Sequence, residues 1–206
     1  NTIHVRINDG IGGFLAAQVI PVDMQPISMA AGRFNSDGDV DLVTANYGVG
    51  SISVLMNIGG LIDPPTSYPT GAGPYHVITT DLDGVMGTDV LTASASSNAV
   101  SVHYNNGDGT FRAVVMIDAG IDPRAVAAGD FDGDGDRDLA VANFGTNSIG
   151  VIANLGNGTF APPVNYAAGS TPSSIAAADL NGDGALDLVA GNPAVDTVSV
   201  YIGNCR

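Results

Sequence analysis

Short apolar runs alternating with small or polar residues recur along this chain, separated by clusters of Gly, Asn, Asp and Pro. Within one stretch the runs are Arg124-Ala-Val-Ala-Ala-Gly129, Asp138-Leu-Ala-Val-Ala142, Ser148-Ile-Gly-Val-Ile-Ala153 and a segment from Phe160 to about Ala167. Each is short for a helix and rich in β-branched or small residues. The pattern therefore predicts four strands joined by tight turns.

The same series of strands returns with a fixed period. Asp41, Asp89, Asp138 and Asp187 are spaced by 48, 49 and 49 residues, and Pro26, Pro74, Pro123 and Pro172 keep the same intervals. A Gly-rich turn recurs at Asn8–Phe14, Asn57–Leu61, Asn105–Phe111 and Asn154–Phe160. Units of about 49 residues with four strands each predict an all-β fold, a β-propeller. The expected layout is one domain over 1–206, with four-stranded blades at approximately 10–58, 59–107, 108–156 and 157–205. The strand after each Pro is crowded with small residues (Ala30, Ala31, Gly32; Ala127, Ala128, Gly129), as an innermost strand near a central axis requires. Segment 1–8 aligns with the third strand of a unit, a place that Thr197-Val-Ser-Val-Tyr201 already takes in the last unit. In a closed four-blade ring residues 14–22 would complete the last blade and strand 1–8 would be surplus. That strand would then pad the closure or pair with a neighbouring chain to give a homo-oligomer. The alternative is part of a larger propeller completed by another chain.

Composition sharpens this picture. All 21 acidic residues are Asp, all six basic ones are Arg, and the absence of Glu and Lys removes two strong helix formers. Net charge is −15, with few and scattered cations, which excludes nucleic acid as a partner and disfavours anionic membranes. No run of 18 apolar residues exists, so no membrane insertion is expected. The chain begins at Asn1 without Met or a leader pattern, which reads as a mature or trimmed form. One cysteine, Cys205, rules out an internal disulfide and leaves a tail thiol or an intermolecular bridge.

Fourteen of the Asp residues lie in four nine-residue loops between the first and second strands. Loop 130–138 places carboxylates at Asp130, Asp132, Asp134, Asp136 and Asp138, with Gly133 and Gly135 between them. Such crowding is stable only with a cation among the charges. Oxygen-only ligands on a flexible loop suit Ca²⁺ ahead of Mg²⁺. Asp130, Asp132 and Asp134 are expected to ligate through side chains, residue 136 through its carbonyl, and Asp138 with both oxygens. Loop 179–187 repeats the set with Asp179, Asn181, Asp183, the Ala185 carbonyl and Asp187. Two poorer sets follow. Loop 33–41 offers Asn35, Asp37, Asp39 and Asp41, with Arg33 where the others have Asp, so that a guanidinium replaces the ion in the alternative reading. Loop 81–89 offers Asp81, Asp83 and Asp89, with Val85 and Gly87 at middle positions. Two Ca²⁺ sites are expected, and four at most. An EF-hand is excluded: position 12 counted from Asp130 is Val141, and the flanks are strands rather than helices.

The repeated Asp-x-Asp/Asn-x-Asp-Gly-x-x-Asp loops, the Gly-Thr-Phe turns at 109–111 and 158–160, and Gly191-Asn192-Pro193 together resemble the FG-GAP/VCBS repeat family. These are the calcium-binding blades of integrin α-subunit heads and of many secreted bacterial proteins. The resemblance covers essentially the whole chain. It implies a calcium-stabilised propeller in an extracellular or cell-surface setting. Family propellers commonly have seven blades, and this chain has material for four.

Strand parity puts the acidic loops on one face and the second-to-third and fourth-to-first connections on the other. That opposite face collects Tyr47, Tyr75 and Phe144 among small polar residues, a surface for an extracellular glycan or protein. In integrin-like relatives this loop face engages ligand, which the resemblance carries to this chain as an expectation. Single Asn and Gly residues there read equally as turn chemistry. His4, His76 and His103 occupy different repeat positions and do not predict a shared metal site. Asn157-Gly-Thr159 fits a glycosylation sequence and also a tight turn. No nucleophile motif or acid–base pair is evident, so the reading is a non-enzymatic recognition or adhesion module. The alternatives are a propeller domain of a secreted polysaccharide-degrading enzyme and a self-assembling surface subunit.

Overall fold

The computed structural model describes residues 1–85, 87–156 and 158–204. Asn157 and Cys205 lie outside the described residues. The chain forms a row of small antiparallel sheets. Sheet 1 pairs Thr2–Val5 with Gln18–Pro21. Sheet 2 holds Pro26–Gly32, Asp41–Asn46, Ser51–Leu55 and Thr66–Pro69. Sheet 3 holds Pro74–Thr80, Asp89–Ser94, Ala99–His103 and Val115–Asp118. Sheet 4 holds Pro123–Gly129, Asp138–Asn143, Ser148–Ile152 and Val164–Ala167. Sheet 5 has three strands, Ser174–Ala178, Asp187–Asn192 and Thr197–Tyr201. A small hairpin joins Asn57–Ile58 to Leu61–Ile62.

The order of strands within a unit is as the sequence pattern predicts; the number of complete blades is not. Among the described residues three sheets have four strands, and no strand pairing joins sheet 1 to sheet 5. Residues 14–22 do not complete the last sheet. Gln18–Pro21 pairs instead with Thr2–Val5, Thr2 opposite Pro21 and Val5 opposite Gln18. The physical reason is proximity in sequence: the turn at Asn8–Phe14 brings these two strands together as a local hairpin, with little loop entropy to overcome.

The first strands of sheets 2 to 5 lie side by side in chain order. Their small residues permit that approach. Each such strand is entered through a residue in the left-handed region, at Gln25, Gly73, Asp122 and Thr171, directly before the Pro. Successive sheets pack face to face. Phe34, Val43, Ile52 and Val54 of sheet 2 meet Val77, Val90 and Phe111 of sheet 3. Leu91, Val100 and Val102 of sheet 3 meet Val126, Leu139, Val141 and Ile152 of sheet 4. Ala140, Ala142 and Ile149 of sheet 4 meet Leu188 and Ala190 of sheet 5. Sheet 1 joins through Ile3 and Ile20 against Leu55 and Ile62. The second and third strands of sheet 3 are therefore buried throughout, while Ile27 and Met29 at one end of the row and Val198 and Val200 at the other stay exposed.

Candidate metal centre and the opposite loop face

The last Asp of each acidic loop is a buried anchor. Asp138 accepts the Phe131 N–H at 2.8 Å on Oδ2 and the Asn154 N–H at 2.8 Å on Oδ1. Asp89 does the same for Leu82 and Asn105, Asp41 for Phe34 and Asn57, and Asp187 for Leu180 and Gly203. One carboxylate thus ties the start of its own loop to the turn beyond the third strand. Each oxygen keeps a second lone pair for another ligand. Burial raises the pKa of Asp89 to about 6, with Asp83 and Asp81 adding repulsion against the two backbone hydrogen bonds. Burial likewise pushes Asp138 up, with Asp132 and Asp134 contributing. A nearby cation would relieve both.

The other loop carboxylates hold backbone in a tight coil. Asp130 accepts from the Gly133 and Gly135 N–H groups at 2.7 and 3.0 Å, and Asp179 accepts from Gly182 and Gly184 at 2.7 and 2.9 Å. Both glycines of loop 130–138 sit at positive φ, 83° and 96°, which bends the loop back over Asp130. Asp134 accepts from the Asp136 N–H, and Asp183 from the Ala185 N–H. The Asp136 carboxylate lies against Gly156 of the adjoining turn, where a Cβ would find no room.

Two carboxylate trios converge. Oxygens of Asp130, Asp132 and Asp138 lie within 4.8 Å of one another, and so do those of Asp81, Asp83 and Asp89. Both sets could hold a divalent cation: oxygen-only donors, one buried anion and two nearer solvent fit a hard ion. Among the described residues, loops 33–41 and 179–187 do not bring three carboxylates together in this way. Their third position is Asn, and its amide is engaged. Asn35 Nδ2 donates to Asp37 at 2.9 Å, and Asn181 Nδ2 donates to Asp183 at 3.0 Å. In loop 33–41 the Asp39 N–H is held by Asp37, and the Asp39 carboxylate turns to the Gly59 N–H at 2.7 Å. Arg33 makes no ion pair with these carboxylates among the described residues. The arginine that enters an acidic loop is Arg112, 3.2 Å from Asp83. Sequence reasoning missed it, although Arg112 directly follows the Gly-Thr-Phe turn.

On the opposite face the expected aromatics form a strip. The Tyr47 and Tyr75 rings meet edge to face at 6.3 Å. Arg124 lies over the Phe144 ring at 3.5 Å and over Tyr75 at 5.0 Å, and pairs with Asp122 at 3.1 Å. Arg124 was not foreseen as the link. The signal was its place: it follows Pro123 as Tyr75 follows Pro74. His103 is buried and His76 half-buried, and desolvation lowers the pKa of each; His103 Nε2 hydrogen-bonds the Pro69 carbonyl at 3.0 Å.

A family model described as FG-GAP-like repeat matches residues 87–141 and 130–190. A comparison with curated protein sequences finds no match. Among solved structures, a candidate 6-phosphogluconolactonase from Bacteroides uniformis superposes with a TM-score of 0.73 at 18% identity, covering 98% of this chain and 61% of that one. An auxiliary nutrient binding protein from Bacteroides ovatus gives 0.64 at 13% identity, with 95% and 51% covered. The biofilm matrix protein Bap1 of V. cholerae gives 0.58 at 19%, with 97% and 31% covered. At these identities the likeness concerns the fold alone. The chain spans less than two thirds of the length of each of these structures.

Proposed function

The chain belongs to the FG-GAP-like repeat family, and from that premise we propose that it is a calcium-stabilised, extracellular recognition or adhesion domain. The observation that carries the reading is the convergence of Asp130, Asp132 and Asp138, with the same trio at Asp81, Asp83 and Asp89. Calcium in each would neutralise a buried anion and clamp the loop onto the strands that Asp138 and Asp89 already join. One site at tenfold its Kd contributes about 1.4 kcal/mol. Extracellular modules of this kind bind with a Kd of roughly 0.1–1 mM, which suits a calcium-rich exterior.

Recognition is assigned to the Tyr47–Tyr75–Arg124–Phe144 strip, which offers flat rings and a guanidinium to a glycan or protein. The domain is read as non-catalytic. The chain has no Glu or Lys, and one of its three histidines, His103, is buried within a sheet. No helix among the described residues is long and apolar enough to cross a membrane.

Thermal melting with millimolar calcium and with chelator, followed by glycan-array binding of the calcium-loaded protein, tests the proposal. A calcium-dependent rise in the midpoint and binding weakened by Tyr75→Ala are expected. An unchanged midpoint sinks the metal role. Turnover of a polysaccharide by the purified chain sinks the non-catalytic one.

A further inference from the structure

The loop face opposite the acidic loops is built on one plan, repeated from unit to unit. The residue before each Pro sits in the left-handed region, and its N–H is held by an Asn side chain 24 residues earlier. Asp122 donates to Asn98 at 3.0 Å and Thr171 to Asn147 at 2.8 Å. Gln25 is held in the same way, by Asn1 at 3.2 Å. Its carbonyl accepts the Tyr47 N–H at 2.9 Å, as that of Asp122 accepts the Phe144 N–H at 3.0 Å. Gly48 leaves room for the Gln25 side chain, since a Cβ there would lie 3.0 Å from Oε1. Gln25, Ile27, Tyr47 and Tyr75 together line a cavity of about 220 Å³ between sheets 2 and 3. The two tyrosine rings stand at 86° to each other and form a corner.

None of the four lining residues carries a charge, and the charges flanking them are answered within the fold. Arg124 Nε and Nη2 donate to the two oxygens of Asp122 at 3.2 and 3.1 Å, a fork that holds the guanidinium pKa above its ordinary value. Asp23, two residues before Gln25, accepts the Ser51 and Ser67 hydroxyls at 2.6 Å each, which keeps its pKa below the usual carboxylate range. An acidic ligand would meet Asp122 with the guanidinium fork already taken. A cationic one would meet Arg124 with both nearby carboxylates already engaged.

We propose that the Tyr47–Tyr75 corner binds one ring of an uncharged saccharide, a neutral pyranose, in preference to an acidic glycan or a charged peptide. The inference rests on the recognition reading of the strip and names its ligand class. A pyranose has a flat C–H face and a rim of hydroxyls. The face lies on one tyrosine and the edge meets the other. The Gln25 amide, with two N–H donors and a carbonyl acceptor, pairs with hydroxyls on the rim. Apolar walls with one placed polar group are the usual make-up of a small-molecule site. Arg124, stacked over Phe144 at 3.5 Å and over Tyr75 at 5.0 Å, extends the flat surface beyond the corner as a neutralised shelf.

The test sets neutral gluco-, manno- and galacto-oligosaccharides beside the matching uronic-acid series, titrated into the whole calcium-loaded chain. Neutral oligosaccharides should bind at least about tenfold more tightly than their uronic counterparts. Their affinity should hold between about 0.05 and 0.5 M salt, because no charge is being paired. Tyr47→Ala, at an exposed loop position, should weaken binding about fivefold. Asp122→Asn keeps a residue that tolerates the left-handed backbone and releases the guanidinium, so the uronic series should gain on the neutral one. Preference for the uronic series, or for a Lys- and Arg-rich peptide, that Tyr75→Ala abolishes overturns the neutral-sugar assignment and leaves the recognition reading standing. No binding of either saccharide series or of the peptide up to roughly 1 mM overturns both.

Discussion

Loops 130–138 and 179–187 share the first, fifth and ninth Asp and both glycines, yet only the former gathers three carboxylates within 4.8 Å. They differ in acids at the third position, Asp132 against Asn181, and at the seventh, Asp136 against Ala185; the third belongs to the converging trio. Loop 81–89 makes the point from the other side. It lacks an acid at its fifth position, where Val85 stands, and still brings Asp81, Asp83 and Asp89 together. Loop 33–41, with Asn35 at the third position, does not. An Asn carries an amide donor that satisfies the fifth-position carboxylate internally; an Asp has only acceptors, and its charge has to be met from elsewhere. The third residue therefore decides whether a loop's donor set is all carboxylate or includes an amide whose N–H is already spent on the fifth-position acid.

The largest effect separates the ninth position from the rest. Asp138→Ala removes the acceptor for two backbone N–H groups, and the fold should lose about 3 kcal/mol, since each buried donor left unpaired costs ~1–3 kcal/mol. Asp187→Ala should cost a similar amount even though its loop gathers no trio. Asp132→Ala, in chelator, should change stability by less than about 0.5 kcal/mol. Urea unfolding of all three in chelator is the measurement. A near-neutral Asp138→Ala would mean that the ninth carboxylate serves only a cation.

The next effect tests the third position directly. Asp132→Asn should weaken calcium binding at loop 130–138 about tenfold, which is ~1.4 kcal/mol, because ligand charge tunes such sites. Asn181→Asp should create or strengthen binding at loop 179–187 by a comparable factor. Calorimetric calcium titration of both single variants and of the double exchange reads this out. Unchanged isotherms in all three would break the comparison.

Much of this was legible in the sequence because the repeat acts as an internal control. Four Asp residues at near-constant spacing located the ninth-position anchors, and alternation located the strands. Two things were hidden. Pairing between units is a matter of competition in space: Gln18–Pro21 fits beside either Thr2–Val5 or Thr197–Tyr201 by pattern, and the local hairpin takes it. Arg112 and Arg124 were hidden for a similar reason, since a lone Arg in a strand-end position has no periodic signal until its neighbours across sheets are known.

The smallest effect concerns the second converging trio. Arg112 pairs with Asp83 at 3.2 Å while nearly half exposed, at 47% of its side-chain surface, so the pair itself adds little to stability. Its influence is on the charge available to an ion. Arg112→Gln should leave urea stability in chelator within about 0.5 kcal/mol of the parent. It should also strengthen calcium binding at loop 81–89 by a few-fold, because a cation no longer competes with the guanidinium for the Asp83 carboxylate. The same substitution should leave loop 130–138 unaltered, and a background of Asp132→Asn isolates the 81–89 signal. If Arg112→Gln instead weakens calcium binding there, the guanidinium positions Asp83 rather than neutralising it, and the two trios differ in design and not merely in strength.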